Sequence, residues 1–276
     1  MKTWLITGAS SGLGHLMCEK LLARGDRVVA TVRREVALAD MRTQYGDRLQ
    51  VLVLDLSMTA TIRPAVEAAF AQAGRIDIVV SNAAYGLFGA AEELSDTQIE
   101  RQLTTNLMGS IQLIRAAIPF LRQQGGGRIV QVSSEGGQIA YPNFSLYHAS
   151  KWGIEGFVEA VRQEVAAFGI DFLLVEPGPT ATQFGAGLDM ADALPEYQET
   201  AAGKMREALR SGELVIKGDA EKCVTAMIAA ADADSPPLRL PLGSTAYDNI
   251  DAALRARLEA LHAMKAVAYS ADRKTL

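Results

Sequence analysis

The chain has 276 residues, 49% of them hydrophobic, enough for one large α/β domain or two small ones, and we predict a single domain over residues 1–276. Its 27 basic and 32 acidic residues give a net charge of -5, and the sequence contains no dense Lys/Arg block. We therefore expect no nucleic-acid partner. The first apolar run is interrupted at Thr7 and Gly8, and no run of about 18 apolar residues follows, so we expect neither a signal peptide nor a membrane partner.

The cysteines and histidines disfavour the common metal sites. Cys18 and Cys223 lie far apart in patterned segments and form no metal-type spacing. His15, His148 and His262 do not pair at ligand spacing. We therefore expect no metal site and a reduced, cytoplasmic protein.

The predicted elements begin with a strand and a helix that ends near Ala23, and short apolar runs then alternate with longer amphipathic segments. The strand runs are residues 3–7, 27–32, 49–56, 76–83, 127–134 and 170–178. Near-continuous apolar strands that alternate with helices indicate a parallel sheet covered on both faces. Right-handed crossovers then predict a Rossmann-like, doubly wound α/β fold, a three-layer α/β/α sandwich.

Two segments fall outside this alternation. Between residues 179 and 218 the pattern lapses, which makes this long connection a candidate substrate lid. Residues 245–270 predict a helical extension, and residues 248–268 within it are amphipathic. Such a face recruits a partner, packs on its own domain or forms a subunit interface.

A glycine-rich turn, TGASSGLG at residues 7–14, directly follows the first strand and opens the first helix. Glycines at positions 8, 12 and 14 would let backbone N–H groups and a helix N-terminus approach a pyrophosphate. The spacing is GxxxGxG rather than GxGxxG, and many α/β turns need glycine for steric reasons alone. Its place between strand and helix favours a nucleotide-binding function.

The second strand ends at Arg33 and Arg34, where an NAD-binding protein usually presents an acid to the ribose. Arginine holds a 2′-phosphate by charge-assisted bonds, so we predict NADP(H), preferred over NAD(H). The alternative is that both arginines are solvated residues after a strand. Asp55, after the third strand, would accept a hydrogen bond from the adenine amino group or cap the next helix.

Tyr147 and Lys151 stand four positions apart in SLYHASKWG, so on a helix they point the same way. Carbonyl reduction needs a hydride at carbon and a proton at oxygen. The unperturbed pKa of tyrosine, about 10, is unsuited to this near neutrality, and a neighbouring ammonium lowers it. We therefore expect Lys151 to lower the pKa of Tyr147, and Tyr147 to be the general acid/base. Taken alone, Tyr147 and Lys151 would also fit a surface helix that carries one aromatic side chain and one solvated charge.

Together these motifs resemble the short-chain dehydrogenase/reductase superfamily, single-domain type, from residue 3 to about residue 182. The matching residues are Gly8, Gly12, Gly14, Asn82 in SNAA, Asn106 in NLMG, Ser134 in VSS, Tyr147 and Lys151 in YHASK, and Pro177-Gly178. One departure is visible, because the usual Asn-Asn-Ala-Gly reads Ser81-Asn82-Ala83-Ala84. We expect Ala84 to tighten that turn without abolishing cofactor binding.

The resemblance implies functional residues in two groups. The catalytic residues would be Asn106, Ser134, Tyr147 and Lys151. The cofactor-binding residues would be Gly8, Ser10, Ser11, Gly12, Leu13, Gly14, Arg33, Arg34, Asp55, Leu56, Asn82, Ala83, Ala84, Tyr147, Lys151, Pro177, Gly178, Thr180 and Thr182. Ser134 would donate to the substrate oxygen. In the family, a locally distorted helix at the position of Asn106 holds a water beside the lysine, and the lysine binds the ribose. Each residue also has a purely structural alternative. Ser134 would cap a helix or turn, and Asn106 would be a buried polar residue whose side chain hydrogen-bonds to backbone.

The substrate wall is less well defined. Its candidates are Leu87, Phe88, Gln138, Tyr141 and Phe184, each of which also fits ordinary core. An apolar, aromatic pocket favours a hydrophobic ketone, aldehyde or secondary alcohol over a sugar. Glu135, beside Ser134, would contact a polar substrate group, but a solvated side chain or a helix partner is the simpler reading.

The sequence thus predicts an NADPH-dependent carbonyl reductase or alcohol dehydrogenase. The alternatives are a non-catalytic NADP(H)-binding sensor, which has no need of the Tyr147 relay, and an interaction protein using residues 248–268. By resemblance we also expect a homodimer or homotetramer, joined through helices that would span residues 98–122 and 147–168.

Overall fold

The computed structural model describes residues 1–273 and contains the predicted parallel sheet. The strands in this range are β1 (Thr3–Thr7), β2 (Arg27–Val32), β3 (Leu49–Val53), β4 (Ile78–Ser81), β5 (Leu87–Phe88), β6 (Gly127–Val132), β7 (Ile170–Pro177), β8 (Asp189–Met190) and β9 (Arg239–Leu242). The helices are α1 (Gly12–Ala23), α2 (Ala39–Tyr45), α3 (Thr59–Ala73), α4 (Asp96–Leu103), α5 (Gly109–Gln123), α6 (Ser145–Val165), α7 (Ala201–Ser211), α8 (Ala220–Asp232), α9 (Ser244–Ala263) and α10 (Lys265–Ser270).

Seven of the described strands form one sheet in the order β3-β2-β1-β4-β6-β7-β9, with every pairing parallel. The strand order reverses direction between β1 and β4. In such sheets the ligand crevice opens at the carboxyl ends of the strands beside this reversal. Thr7, Ser81 and Val132, at the ends of β1, β4 and β6, therefore mark the edge where a site is expected.

The sheet is covered on both faces, as the apolar strands predict. In β1, Trp4 and Ile6 point into one core with residues of α1 and α8, whereas Leu5 points into the other with residues of α3, α5 and α6. Successive side chains of a strand alternate between faces, so one strand supplies both layers. The three-layer, Rossmann-like fold is confirmed.

The sequence pattern missed β9 at the edge of the sheet, which pairs Leu240 with Val175 of β7. Its sequence, RLPL, is short, starts with a charge and contains Pro241, which removes a backbone donor. The local sequence therefore does not predict a strand, and the strand forms because it pairs with β7.

Residues 179–218 are also more ordered than their sequence pattern suggests. They contain α7 and the two-residue strand β8, which pairs Asp189 and Met190 with Leu87 and Phe88 of β5. The candidate lid is therefore joined by backbone hydrogen bonds to the chain that follows β4.

The C-terminal extension is helical, as predicted. Ala246 and Ile250 of α9 are buried beside Ile139, whereas every side chain from Leu254 to Arg273 is exposed. Within residues 1–273, no helix is long and apolar enough to cross a membrane.

Candidate active site

The glycine-rich turn is shaped by backbone contacts that exclude side chains. Gly8 and Gly12 have φ values of 69° and 56°, which favour glycine. A Cβ on Gly14 would lie 2.5 Å from the Gly8 carbonyl oxygen and 2.5 Å from Asn82 Nδ2. The turn is therefore folded back on the first turn of α1. Gly8 and Gly12 are required for their backbone angles, and Gly14 is required because there is no space for a Cβ.

Asn82 and Thr7 lock this turn to the end of β4. Asn82 Nδ2 donates to the carbonyl oxygens of Thr7, at 2.9 Å, and Gly8, at 3.3 Å. The Thr7 hydroxyl accepts from the backbone N–H groups of Asn82 and Ala83 and donates to the Val80 carbonyl. The Asn82 side chain thus supports the turn from behind, a role the sequence did not show.

The turn fits a dinucleotide pyrophosphate. Ser11 is the N-cap of α1, but its exposed side chain makes no capping hydrogen bond within the described chain, and the first turn carries no acidic residue. The N-terminal N–H groups and the positive end of the helix dipole thus remain available for an anion. Ser10 is exposed beside these N–H groups, and Leu13 is partly buried. A Cβ added to Gly12 would lie 3.8 Å from Thr182. The Thr182 segment therefore lies opposite the turn.

At the other end of the crevice, Arg33 and Arg34 follow β2 with exposed side chains. Asp55 Oδ1 accepts from the N–H and hydroxyl of Ser57, and α3 begins only after Met58, so the suggested capping of α3 by Asp55 is wrong. Burial opposes ionisation of Asp55, but the Ser57 hydrogen bonds and the charge of Arg33 outweigh it and lower its pKa. An ionised acid and two exposed guanidinium groups thus border this end.

The remaining cofactor candidates are distributed along the same edge. Ala84 is exposed and its φ lies outside the left-handed region, so the alanine introduces no backbone strain there. The Thr180 hydroxyl donates to the Gly178 carbonyl at 2.9 Å. Leu56 and Pro177 are buried, and Ala83 is partly buried.

Tyr147 and Lys151 share one face of α6, as their spacing predicts. Lys151 is buried, its Nζ donates to the Val132 carbonyl at 3.0 Å, and it lies 5.5 Å from the centroid of the Tyr147 ring. The lysine thus joins α6 to the carboxyl end of β6.

Ser134 lies just beyond that strand end, and its hydroxyl acts to lower the pKa of the Tyr147 phenol. Its Oγ accepts from the Gly136 N–H at 3.1 Å and donates to the Pro177 carbonyl at 3.4 Å. The bond from Gly136 orients the hydroxyl as in a turn, and the same hydroxyl borders the cleft beside Tyr147.

The ionisation of the pair differs from the expectation. Burial dominates at Tyr147 and raises its pKa to about 12, although the Ser134 hydroxyl acts in the opposite direction. Burial also lowers the pKa of Lys151 to about 8, and the charge of Glu155 partly opposes this. The predicted lowering of the Tyr147 pKa is therefore wrong, because burial disfavours the tyrosinate and the charge of Glu135 acts in the same direction.

Asn106 lies in a π-helical turn, Thr104–Met108, between α4 and α5. Its Oδ1 accepts from the Tyr85 N–H at 3.1 Å and its Nδ2 donates to the Tyr85 carbonyl at 2.8 Å. The turn packs closely on α6, since a Cβ on Gly153 would lie 3.1 Å from Leu107. The helix is distorted at the position where the resemblance implied a distortion, and the buried side chain is satisfied by backbone.

Known proteins share this fold and these motifs. The family model for short chain dehydrogenases matches residues 2–192. The chain is 35% identical to Oxidoreductase BOA17 of Botryotinia fuckeliana, over 90% of each sequence. A short-chain dehydrogenase from Streptomyces avermitilis is similar to it, with a TM-score of 0.90 and 36% identity over 98% of each chain. A short-chain dehydrogenase from Sphingobium yanoikuyae in complex with NADPH has a TM-score of 0.73 and 25% identity, covering 100% of this chain and 98% of that one.

The protein belongs to the short-chain dehydrogenase family. It is an oxidoreductase of that family, and the matched segment contains all eight glycine-turn, asparagine, serine, tyrosine and lysine positions that the sequence motifs singled out.

Several substrate-wall candidates of this short-chain dehydrogenase lie elsewhere. Leu87 and Phe88 are each 1% exposed, in β5, and belong to the core. Gln138 donates to Glu176 at 3.0 Å. Phe184 is different, because it is exposed and its ring lies 5.6 Å from that of Tyr147. Of the five candidates, Phe184 directly borders the tyrosine.

The expectation that Glu135 is solvated or only a helix partner is wrong. Glu135 is 2% exposed and accepts hydrogen bonds from the Tyr141 hydroxyl, at 2.6 Å, and from Asn249 of α9, at 3.1 Å. Burial and the Glu135 carboxylate raise the pKa of Tyr141. The Tyr141 N–H donates to His148 Nε2, so His148 Nδ1 donates to the Gly136 carbonyl. This network braces the loop after Ser134 from outside the cleft.

The anchors of residues 179–218 were missed in the sequence. Glu93, whose side chain is fully buried, accepts from the N–H groups of Ala90 and Leu194 and pairs with Arg206 of α7. Asn143 Nδ2 donates to the Ala202 carbonyl at 2.7 Å. The partners in residues 179–218 lie 59 to 113 positions from Asn143 and Glu93 in sequence, so no local spacing marks them. Asn143 has a positive φ of 68°, a backbone conformation that asparagine adopts more often than most residues.

Proposed function

We propose that the protein is an NADPH-dependent carbonyl reductase that transfers hydride to a hydrophobic ketone or aldehyde, with Tyr147 as the general acid. The observation that carries this proposal is the placement of Tyr147 on α6 beside Lys151, whose Nζ lies 5.5 Å from the centroid of the Tyr147 ring, at the edge of the sheet where Ser134 follows β6. The pKa of Tyr147, about 12, keeps the phenol protonated at neutral pH, so the proton to be donated is present.

The glycine-rich turn would hold the pyrophosphate of the cofactor and the Thr180–Thr182 segment would lie near its reduced nicotinamide, which would supply the hydride. Ser134 would donate a hydrogen bond to the substrate oxygen, and Tyr147 would deliver the proton as that oxygen becomes an alkoxide. Lys151, with a pKa of about 8, is mostly cationic at neutral pH and would stabilise the resulting tyrosinate. Asn106 would hold a water that returns the proton from solvent. The same residues catalyse the reverse reaction, oxidation of a secondary alcohol.

The preference for NADPH rests on charge. Arg33 and Arg34 are exposed where a 2′-phosphate would lie, and β2 ends without an acid. The Sphingobium yanoikuyae relative, which was solved with NADPH, supports the same cofactor. Two guanidinium groups favour the phosphorylated ribose, by about tenfold to a hundredfold in affinity.

The substrate is proposed to be apolar beside its carbonyl. Phe184 covers the Tyr147 ring, and the segment that carries it exposes Met190, Leu214, Val215 and Ile216. We propose that residues 179–218 act as a substrate lid whose apolar side chains shield the carbonyl from water.

The test is oxidation of NADPH and NADH across a panel of aldehydes and ketones, by the native protein, Tyr147→Phe and Arg33→Ala. We expect turnover with NADPH, a loss of about a hundredfold to ten-thousandfold in kcat for Tyr147→Phe, and a selective loss of NADPH affinity for Arg33→Ala. NADPH binding without turnover of any carbonyl would favour the sensor function. A native preference for NADH would refute the assignment of Arg33.

We also propose that two or four copies associate through α4, α5 and α6. Met108, in the π-helical turn, and Trp152, on α6, are 43% and 44% exposed, so both apolar side chains would be available to a second copy. Light scattering should therefore give a mass above the 29.5 kDa of one chain. A monomer at micromolar concentration would contradict this.

A cytoplasmic location is proposed on the chemistry of the cysteines. Cys18 and Cys223 are both buried and free. Free thiols persist in reducing compartments, where structural disulfides are rare.

A further inference from the structure

A buried carboxylate lies directly behind the catalytic residues. Glu155 follows Lys151 by one turn of α6, on the same face, and is 3% exposed. One of its oxygens, Oε1, accepts from the Ser133 hydroxyl at 2.5 Å. The other, Oε2, accepts from Arg239 of β9 at 2.5 Å. Ser133 immediately precedes Ser134, so Glu155 contacts the segment that carries the substrate-binding hydroxyl.

A second contact joins Glu155 to the same segment. A Cβ added to Gly137 would overlap the Glu155 carboxylate, although the φ of Gly137 lies outside the left-handed region. Glycine is thus needed there for space, because the loop after Ser134 rests on the carboxylate. With the bonds from Lys151 to the Val132 carbonyl and from His148 to the Gly136 carbonyl, α6 contacts residues 132–137 at four points.

The charge of Glu155 also acts on Lys151. Burial of Lys151 disfavours its ammonium, and Glu155 is the group whose charge opposes that effect. Glu176 is a poorer source of negative charge, because burial raises its pKa despite the nearby guanidinium of Arg239. The charged and hydrogen-bonding groups that face Glu155 are Lys151 and Glu159 on α6, Ser133 after β6, Glu176 on β7 and Arg239 on β9.

We infer that Glu155 is a positioning residue, which sets Ser134 against Tyr147 through Ser133 and Gly137 and keeps Lys151 cationic. This inference rests on the proposed function for its catalytic consequence, but its electrostatic part concerns the protein alone. Arg239 orients Glu155 from the edge strand, so β9 contributes to the site without reaching the cleft.

Three variants separate the two effects. Glu155→Gln removes the charge and retains the shape, Ser133→Ala removes one hydrogen bond and retains the charge, and Glu176→Gln is the matched control. Glu176 also pairs with Arg239, but it contacts neither Ser133 nor Gly137 within the described chain. A merely structural ion-pair role would make Glu155→Gln and Glu176→Gln behave alike.

The first measurement is an NMR titration of protein labelled at the lysine ε-carbon, without cofactor, with Lys151 assigned through Lys151→Arg. We expect the midpoint of Lys151 to move to lower pH in Glu155→Gln and to stay in place in Ser133→Ala and Glu176→Gln. An unmoved midpoint in Glu155→Gln, or an equal shift in Glu176→Gln, would overturn the electrostatic part.

The second measurement is the pH profile of kcat/KM with NADPH and the preferred carbonyl. Its basic limb should move to lower pH in Glu155→Gln, since the active form needs a cationic lysine. Ser133→Ala should lower kcat, by up to about a hundredfold for a misplacement near 1 Å, without moving the limb. If Glu155→Gln does not fold, Ser133→Ala decides, and an unchanged kcat there refutes the positioning.

The inference about Glu155 and the proposed reductase function can be refuted independently. A shifted Lys151 titration in a protein that reduces no carbonyl would preserve the inference about Lys151 and refute the proposed function. Tyr147-dependent turnover with unchanged titrations and pH profiles in Glu155→Gln would do the reverse.

Discussion

Two walls of the same cleft are built in opposite ways. The turn between β1 and α1 is so close to its surroundings that a single methyl on Gly14 would meet the Gly8 carbonyl oxygen and Asn82 at 2.5 Å. Across the cleft, Gly185 and Gly187 lie in the 179–218 segment, and a methyl on either would meet nothing within 4 Å. The first wall is fixed by close backbone packing and by the side chains of Thr7 and Asn82. The second is held by the pairing of β5 with β8 and by the side chains of Glu93 and Asn143, with exposed residues between these anchors.

This difference corresponds to two tasks. A pyrophosphate is the same in every dinucleotide and is bound by backbone N–H groups, so the turn has one usable geometry. A substrate is recognised by side chains, which can change between anchors without disturbing the fold. The lid segment is therefore where the specificity of this dehydrogenase is expected to vary.

The largest expected difference between the two walls comes from adding a methyl group to a glycine in each of them. Gly14→Ala should weaken NADPH binding by about tenfold or more, equivalent to about 1.4 kcal/mol, because the turn must open to admit the Cβ. Gly187→Ala is the matched control and should leave the affinity unchanged. Isothermal titration with NADPH measures both. Equal affinities for the two variants would show that the turn adapts.

A smaller effect is expected from releasing an anchor. Glu93→Gln should weaken the bonds to Leu194 and Arg206, loosening the lid, and raise KM by severalfold with little change in kcat. Glu92→Gln is the control, since within residues 1–273 the Glu92 side chain accepts one exposed hydrogen bond, from Tyr197 of the same segment, and pairs with no cation. Limited proteolysis should cut residues 179–218 faster in Glu93→Gln alone. Identical cleavage rates in the two variants would mean that Glu93 does not hold the segment.

The smallest effect is the pH dependence of that anchor. Burial of Glu93 opposes its ionisation, but bonds from Leu194 and Ala90 and the charge of Arg206 outweigh burial and lower its pKa. A lowered carboxyl pKa stabilises the anchored state above the usual glutamate pKa, near 4.3, and that contribution disappears as pH falls through the lowered value. Lid proteolysis should therefore accelerate on acidification in the native protein and change less in Glu93→Gln. Parallel pH profiles would contradict this sign.

The sequence alone determined the alternation of strands and helices, the covered parallel sheet and the family. These features follow from patterns that are local in the chain, such as apolar strand runs, a glycine turn after β1, and the four-residue spacing of Tyr147 and Lys151. It also gave the position of the helix distortion at Asn106, although only through the resemblance to the family. Each of these signals lies within a few residues of the feature it predicts.

Only the tertiary structure decided which charges act on the proposed catalytic residues. Glu155 has the pattern of an ordinary helix residue until β6 and β9 bring Ser133 and Arg239 to it, and Glu135 has that of a solvated residue until α9 covers it. The pKa of Tyr147 differs from the sequence prediction for the same reason, because the four-residue spacing shows the neighbouring ammonium of Lys151 but neither the burial nor the charge of Glu135 that raises this pKa. Desolvation is set by every element that packs around a group, and no local pattern contains that information.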